Sequence, residues 1–164
     1  MSGDGGSNFG FVVVCGFAVF GFVLYRSWVR RERRRALAEL ARERRFGPGP
    51  DRLPADFPVA ILDDFFNNWI LGPNWQGVQN VVGGDDGGDS LLAFDVSLRR
   101  GRTAIRQTVV ARRSFQFQVK QSVAAGYRYR VCGEWQAVTK REGWVPSDNL
   151  LWPVEIERLW RMLG

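Results

Sequence analysis

The chain has 164 residues, a net charge of +6, two cysteines and no histidine. Without histidine it lacks the commonest general base and metal ligand, the usual axial ligand for haem, and the base of a serine triad. The excess charge is also confined. Nine Arg and three Glu between Arg26 and Arg45 carry all of it, and the remaining 14 basic and 14 acidic residues cancel. That distribution speaks against a nucleic-acid-binding domain, which needs a basic face on its folded part.

Residues 1–8 form a Gly/Ser leader with Asp4 as its one charge, a composition expected to be flexible. Phe9 to Tyr25 is a 17-residue run without charge, rich in Phe9, Phe11, Phe17, Phe20, Phe22, Gly16 and Gly21. As a helix it reaches ~25 Å. Extension through Ser27, Trp28 and Val29, with Arg26 snorkelling, brings it to the ~30 Å of a hydrocarbon core. A signal peptide carries its positive charge before the apolar run. Here Arg26, Arg30, Arg31, Arg33, Arg34 and Arg35 follow it. Residues 9–29 therefore read as a single transmembrane helix, and the positive-inside rule puts the N-terminus outside and the rest in the cytoplasm. No ionisable residue interrupts the span, so it offers no proton relay or ion path.

Residues 30–46 read as an Arg-rich juxtamembrane helix, with Glu32–Arg35 and Glu39–Arg42 at helical spacing. Its apolar stripe is thin (Val29, Ala36, Leu37, Leu40), so it is expected to be a stalk or to lie along the membrane surface. Anionic lipid headgroups and an acidic protein rim are both suitable partners for Arg26, Arg30, Arg31, Arg34 and Arg35. Residues 47–58, with four prolines and two glycines, read as a stiff linker. The segment after it concentrates Phe65, Phe66, Trp69 and Trp75. These rings either dock on a core or form an exposed partner patch.

From Gly77 the apolar period is two. Leu92, Phe94, Val96 and Leu98 form one such row; Ile105, Gln107, Val109 and Ala111 another; Phe115, Phe117 and Val119 a third; Tyr127, Tyr129 and Val131 a fourth. Such rows predict antiparallel strands with one wet face, joined by hairpins at 83–89 and 99–102. From Pro153, the spacing of Ile156, Leu159, Trp160 and Leu163 predicts a closing helix that covers the sheet. The expected fold is thus a single N-terminal transmembrane helix plus a small α+β domain over 59–164. It holds an antiparallel sheet of five to six strands, with the C-terminal helix packed on it.

No pattern predicts a catalytic residue, a cofactor or a metal. Asp85, Asp86 and Asp89 lie among glycines, but without the order of an EF-hand they read as a hairpin tip. Adjacent Asp63 and Asp64 would point ~100° apart on a helix. Cys132 in a strand pattern reads as a structural thiol. The 21 Arg against Lys120 and Lys140 read as coding bias of a GC-rich bacterial genome.

Asn80-Val81-Val82-Gly83, then Phe94-Asp95, then Gln107-Thr108-Val109-Val110 resembles an uncharacterised family of bacterial proteins with an N-terminal membrane anchor. That family reads N-V-x-x-G, F-D, a Gly-containing turn, then Q-T-V, followed by a Gly/Asp-Trp step similar to Gly133-Glu134-Trp135 and by a terminal helix. The resemblance covers roughly residues 77 to 164 and implies a membrane-anchored small domain; it brings no activity. Where members often have a Gly/Ser/Lys-rich turn, this chain has Arg99-Arg100-Gly101-Arg102. By class alone, the chain is similar to single-pass accessory subunits of photosynthetic reaction centre–light-harvesting complexes. The expected role is a non-catalytic subunit that braces the cytoplasmic face of a bacterial inner-membrane complex. The alternative is a stand-alone tethered module that binds a small ligand or peptide.

Overall fold

The computed structural model describes residues 5–46, 52–68, 72–73, 75–100, 103–114, 126–141 and 148–164. The chain divides into two compact units, the first ending at Arg35 and the second beginning at Ala36.

Helix α1 (Gly5–Glu43) provides the first unit and opens the second. It starts four residues before the apolar run, so residues 5–8 of the supposed flexible leader are helical; residues 1–4 lie outside the described residues. Extending an existing helix adds a hydrogen bond for each residue fixed, which offsets a poor composition. The helix ends in a Schellman motif. Phe46 N donates to Ala41 O at 2.9 Å, and Arg45 N donates to Arg42 O at 3.0 Å. Arg45 takes the left-handed conformation, φ 55°, where glycine is usual.

The second unit continues with α2 (Ala60–Phe66), β1 (Asn67–Asn68), β2 (Gly72–Pro73), β3 (Trp75–Asp86), β4 (Asp89–Arg100), β5 (Thr103–Arg113), β6 (Tyr127–Cys132), β7 (Trp135–Lys140) and α3 (Pro153–Met162). Strands β3 to β7 form one antiparallel sheet in the order β3-β4-β5-β7-β6, as the alternation predicted. The row at Phe115, Phe117 and Val119 lies outside the described residues, as do residues 47–51 of the linker. The β3–β4 hairpin turns on Gly87 and Gly88, with φ of 62° and 96°, the positive pair that a two-residue turn demands.

Among the described residues each face of the sheet carries a buried core, which corrects the expectation of one wet face. One face packs Phe94, Val96, Val109 and Trp135 against Phe57, Ile61, Phe65 and Phe66. The other packs Leu91, Ala93, Val110 and Val138 against α3 and against Leu37, Leu40 and Phe46. Alternation in the sequence fails here because Ala93, Asp95 and Thr108 read as an outer row yet are buried. Helix α3 behaves as predicted: Ile156, Leu159, Trp160 and Leu163 are all buried. Its first turn is held by Glu155, whose carboxylate accepts from Trp152 N at 3.2 Å.

Two predicted boundaries move. Residues 36–46 are not stalk, because Leu37, Leu40 and Phe46 belong to a core. The supposed linker also ends early, since Phe57 is buried edge-on against Phe94 and Trp135, with centroids at 5.4 and 5.1 Å. The folded domain thus starts at Ala36, not at residue 59.

Candidate functional site

Three features carry chemistry: the apolar helix with its arginines, the acidic hairpin tip, and a polar seam inside the sheet.

In the first unit, α1 is long and apolar enough to cross a membrane, and its apolar window is entirely unburied. Phe17, Phe20, Phe22 and Trp28 are each at least 60 % exposed. Around Gly16 and Gly21 there is open space. The side chains of Phe9 and Phe11 lie outside the described residues. The Arg26 guanidinium sits 5.7 Å from the centroid of the Phe22 ring, one turn back, a cation–π contact. Tyr25 and Trp28 pair at 6.4 Å. Arg31, Arg34 and Arg35 are exposed, whereas Arg26 and Arg30 are half-buried.

The described members of the possible partner patch face inward. Phe65 and Phe66 are core residues, and half-buried Trp75 packs against the same core. Trp75 Nε1 donates to Asp63 Oδ1 at 2.9 Å. Helix α2 turns its aromatic residues inward because Ile61, Leu62, Phe65 and Phe66 recur at helical spacing. Trp69 lies outside the described residues.

At the hairpin tip the carboxylates are already engaged. Asp85 accepts from Ser90 Oγ at 2.7 Å, Asp86 pairs with Arg44 at 3.3 Å, and Asp89 pairs with Arg112. Arg44 also grips Glu157 at 2.8 Å. Among the described residues no group of His, Cys, Asp or Glu could hold a metal ion. Arg44, Arg112, Arg161 and Trp160 line a cleft of about 100 Å³ here, below the ~300–1,000 Å³ of ordinary ligand pockets.

The polar seam was not anticipated. Asp95 is 1 % exposed. Its two oxygens accept from Asn80 Nδ2 and Thr108 Oγ1, both at 2.8 Å. Thr108 Oγ1 in turn accepts from Leu151 N at 3.0 Å. Asn80 reaches Asp95 because β3 bulges between Gln79 and Val82, with Asn80 at φ 53°. Val81 faces one core and Val82 the other, as adjacent strand residues do. Gln107 Nε2 donates to Lys140 O, and Asn149 bridges in parallel to Gln107. Asn80, Asp95, Gln107 and Thr108 are the polar members of the motif quoted above. They tie β3, β4, β5 and the 148–151 segment together.

Among the described residues, Arg113 and Tyr129 titrate away from their ordinary values. A hydrogen bond to Glu134 raises Arg113, aided by the charges of Glu134 and Asp56 and opposed by desolvation. Burial raises the Tyr129 phenol, which donates to Gln136 Oε1 at 2.9 Å.

No protein-family model, no curated protein and no solved structure matches this chain.

Proposed function

We propose that this protein is a non-catalytic accessory subunit of a bacterial inner-membrane complex, with its N-terminus periplasmic and its domain cytoplasmic. The observation that carries the reading is the contrast between the two units. One exposes its apolar surface along the apolar window of α1. The other has a sheet buried on both faces, with its carboxylates and motif residues committed to holding it together. Helix α1 would pack among other transmembrane helices, its arginines would meet anionic headgroups or an acidic rim, and the domain would brace the cytoplasmic side. Orientation follows from the arginines on one side of the span. A photosynthetic reaction centre–light-harvesting complex is one host, on class resemblance alone.

The alternative of a stand-alone binding module rests on an aromatic patch and a free sheet edge; Phe65 and Phe66 are in the core, which weakens the first support, while β3 and β6 are the outer strands of the sheet. Extraction of native membranes in mild detergent, followed by native electrophoresis, tests the proposal. Co-migration with larger subunits supports it. Migration as a free 18.6 kDa monomer sinks it.

A further inference from the structure

The exposed face of α1 carries an ordered sequence of chemistry. Phe17, Phe20, Leu24, Trp28, Arg31 and Arg35 follow one another at spacings of three or four residues, so they form one stripe along the helix. Arg34 flanks it on the same side. All four apolar members are between 53 % and 73 % exposed. Arg35 has one acidic contact, to Glu32 at 3.7 Å, and its side chain remains 81 % exposed. An exposed pair of that length contributes little and leaves the guanidinium available.

The lengths match a single leaflet. Phe17 to Trp28 spans ~16 Å of helix, about half of a ~30 Å hydrocarbon core. Trp28 then falls at the interface, where indole rings concentrate. Arg31, Arg34 and Arg35 follow within ~10 Å, at the level of the phosphates. A guanidinium fork matches phosphate oxygens in geometry as well as charge.

We infer that this stripe is a binding track for one anionic glycerophospholipid of the arginine-side leaflet. Its acyl chain lies along Phe17, Phe20 and Leu24, and its phosphate sits among Arg31, Arg34 and Arg35. The inference rests on the reading of α1 as a membrane span. Three cationic residues against one headgroup favour a lipid with net negative charge over a zwitterionic one, by roughly five-fold per arginine at low salt.

The test uses full-length protein in phosphatidylcholine vesicles containing spin-labelled phosphatidylglycerol or spin-labelled phosphatidylcholine. Electron spin resonance reads the motionally restricted fraction of each. The wild type is expected to restrict the anionic lipid at least about five-fold more strongly at low salt, falling toward parity at 1 M salt, where the Debye length is ~3 Å. The Arg31→Gln/Arg34→Gln/Arg35→Gln variant is expected at parity, and the corresponding Lys variant is expected to retain an excess. Equal restriction by the wild type overturns the inference and leaves an acidic protein rim as the occupant of the stripe. A preference that survives the Gln variant overturns it as well. Release of the protein by alkaline carbonate is a different failure and sinks the membrane reading itself.

Discussion

Asp95 gives the most demanding prediction. Its carboxylate is buried and accepts hydrogen bonds from Asn80 and Thr108. A hydrogen bond to a charged group contributes about 1.5–3 kcal/mol net. Asp95→Ala removes two such bonds and strands a buried hydroxyl, but it also removes the penalty of burying a charge. The expected loss is about 3 kcal/mol, a large share of the ~5–15 kcal/mol that holds an ordinary domain. Asp95→Asn keeps an acceptor for Thr108 but sets an amide donor against the Asn80 donor, so about 1.5 kcal/mol is expected. Thr108→Val removes one hydrogen bond to Asp95 and one from Leu151 N, for about 2–3 kcal/mol. Because the residues share a bond, the double variant should fall short of the sum by at least ~1 kcal/mol. Urea unfolding of the full-length protein in detergent measures this, with buried Trp135 and Trp160 as fluorescent reporters in the two cores. An Asp95→Ala variant within about 1 kcal/mol of wild type, or strict additivity with Thr108→Val, would refute the reasoning.

Further outcomes follow from the same contacts. Gly84→Ala should lose about 2 kcal/mol in the same assay, because its Cβ would enter the Phe46 ring. Arg45→Gly should gain about 1 kcal/mol, since arginine pays for the positive φ of the Schellman motif and glycine does not. A fragment 36–164 should unfold cooperatively, whereas 47–164, which lacks Leu37, Leu40 and Phe46, should lose about 5 kcal/mol or fail to fold, as calorimetry will show. The phenol of Tyr129 is raised by burial, so the folded state holds its proton more tightly than the unfolded chain. That contribution is complete below pH ~10 and is lost as pH climbs through the folded value. Wild type should therefore lose more stability than Tyr129→Phe between pH 9 and 11, as pH-dependent melting will show.

The parts of the fold written in local patterns were legible in the sequence. An unbroken apolar run followed by arginines announced α1, period two announced the sheet, and Ile156, Leu159, Trp160 and Leu163 announced α3. What was not legible depends on partners distant in sequence. Leu37 and Leu40 look like a weak stripe until α3 and β5 are placed beside them. Asp95 and Thr108 look like an outer row because polarity alone signals exposure, and hydrogen bonds to each other, to Asn80 and to Leu151 N make their burial tolerable. Phe65 and Phe66 were ambiguous for the converse reason, since aromatic density marks a core and an interface alike. The roles of Asn80, Asp95 and Thr108 could have been suspected from one signal, polar residues set among strongly apolar strands.

The second core joins the two ends of the domain, and this sets an order of events in synthesis. Arg44 and Glu157, which pair across it, are 113 residues apart. Helix α1 leaves the ribosome first and is available to the insertion machinery while Leu37, Leu40 and Phe46 still lack α3. At ~5–20 residues per second, that interval lasts roughly 6–23 s. During it, an apolar strip beside the arginines is uncovered, and chaperone or membrane contact is the natural shelter. On the proposed reading of α1 as a membrane span, insertion precedes closure of the domain, and delayed insertion would leave the span and the half-built core exposed together.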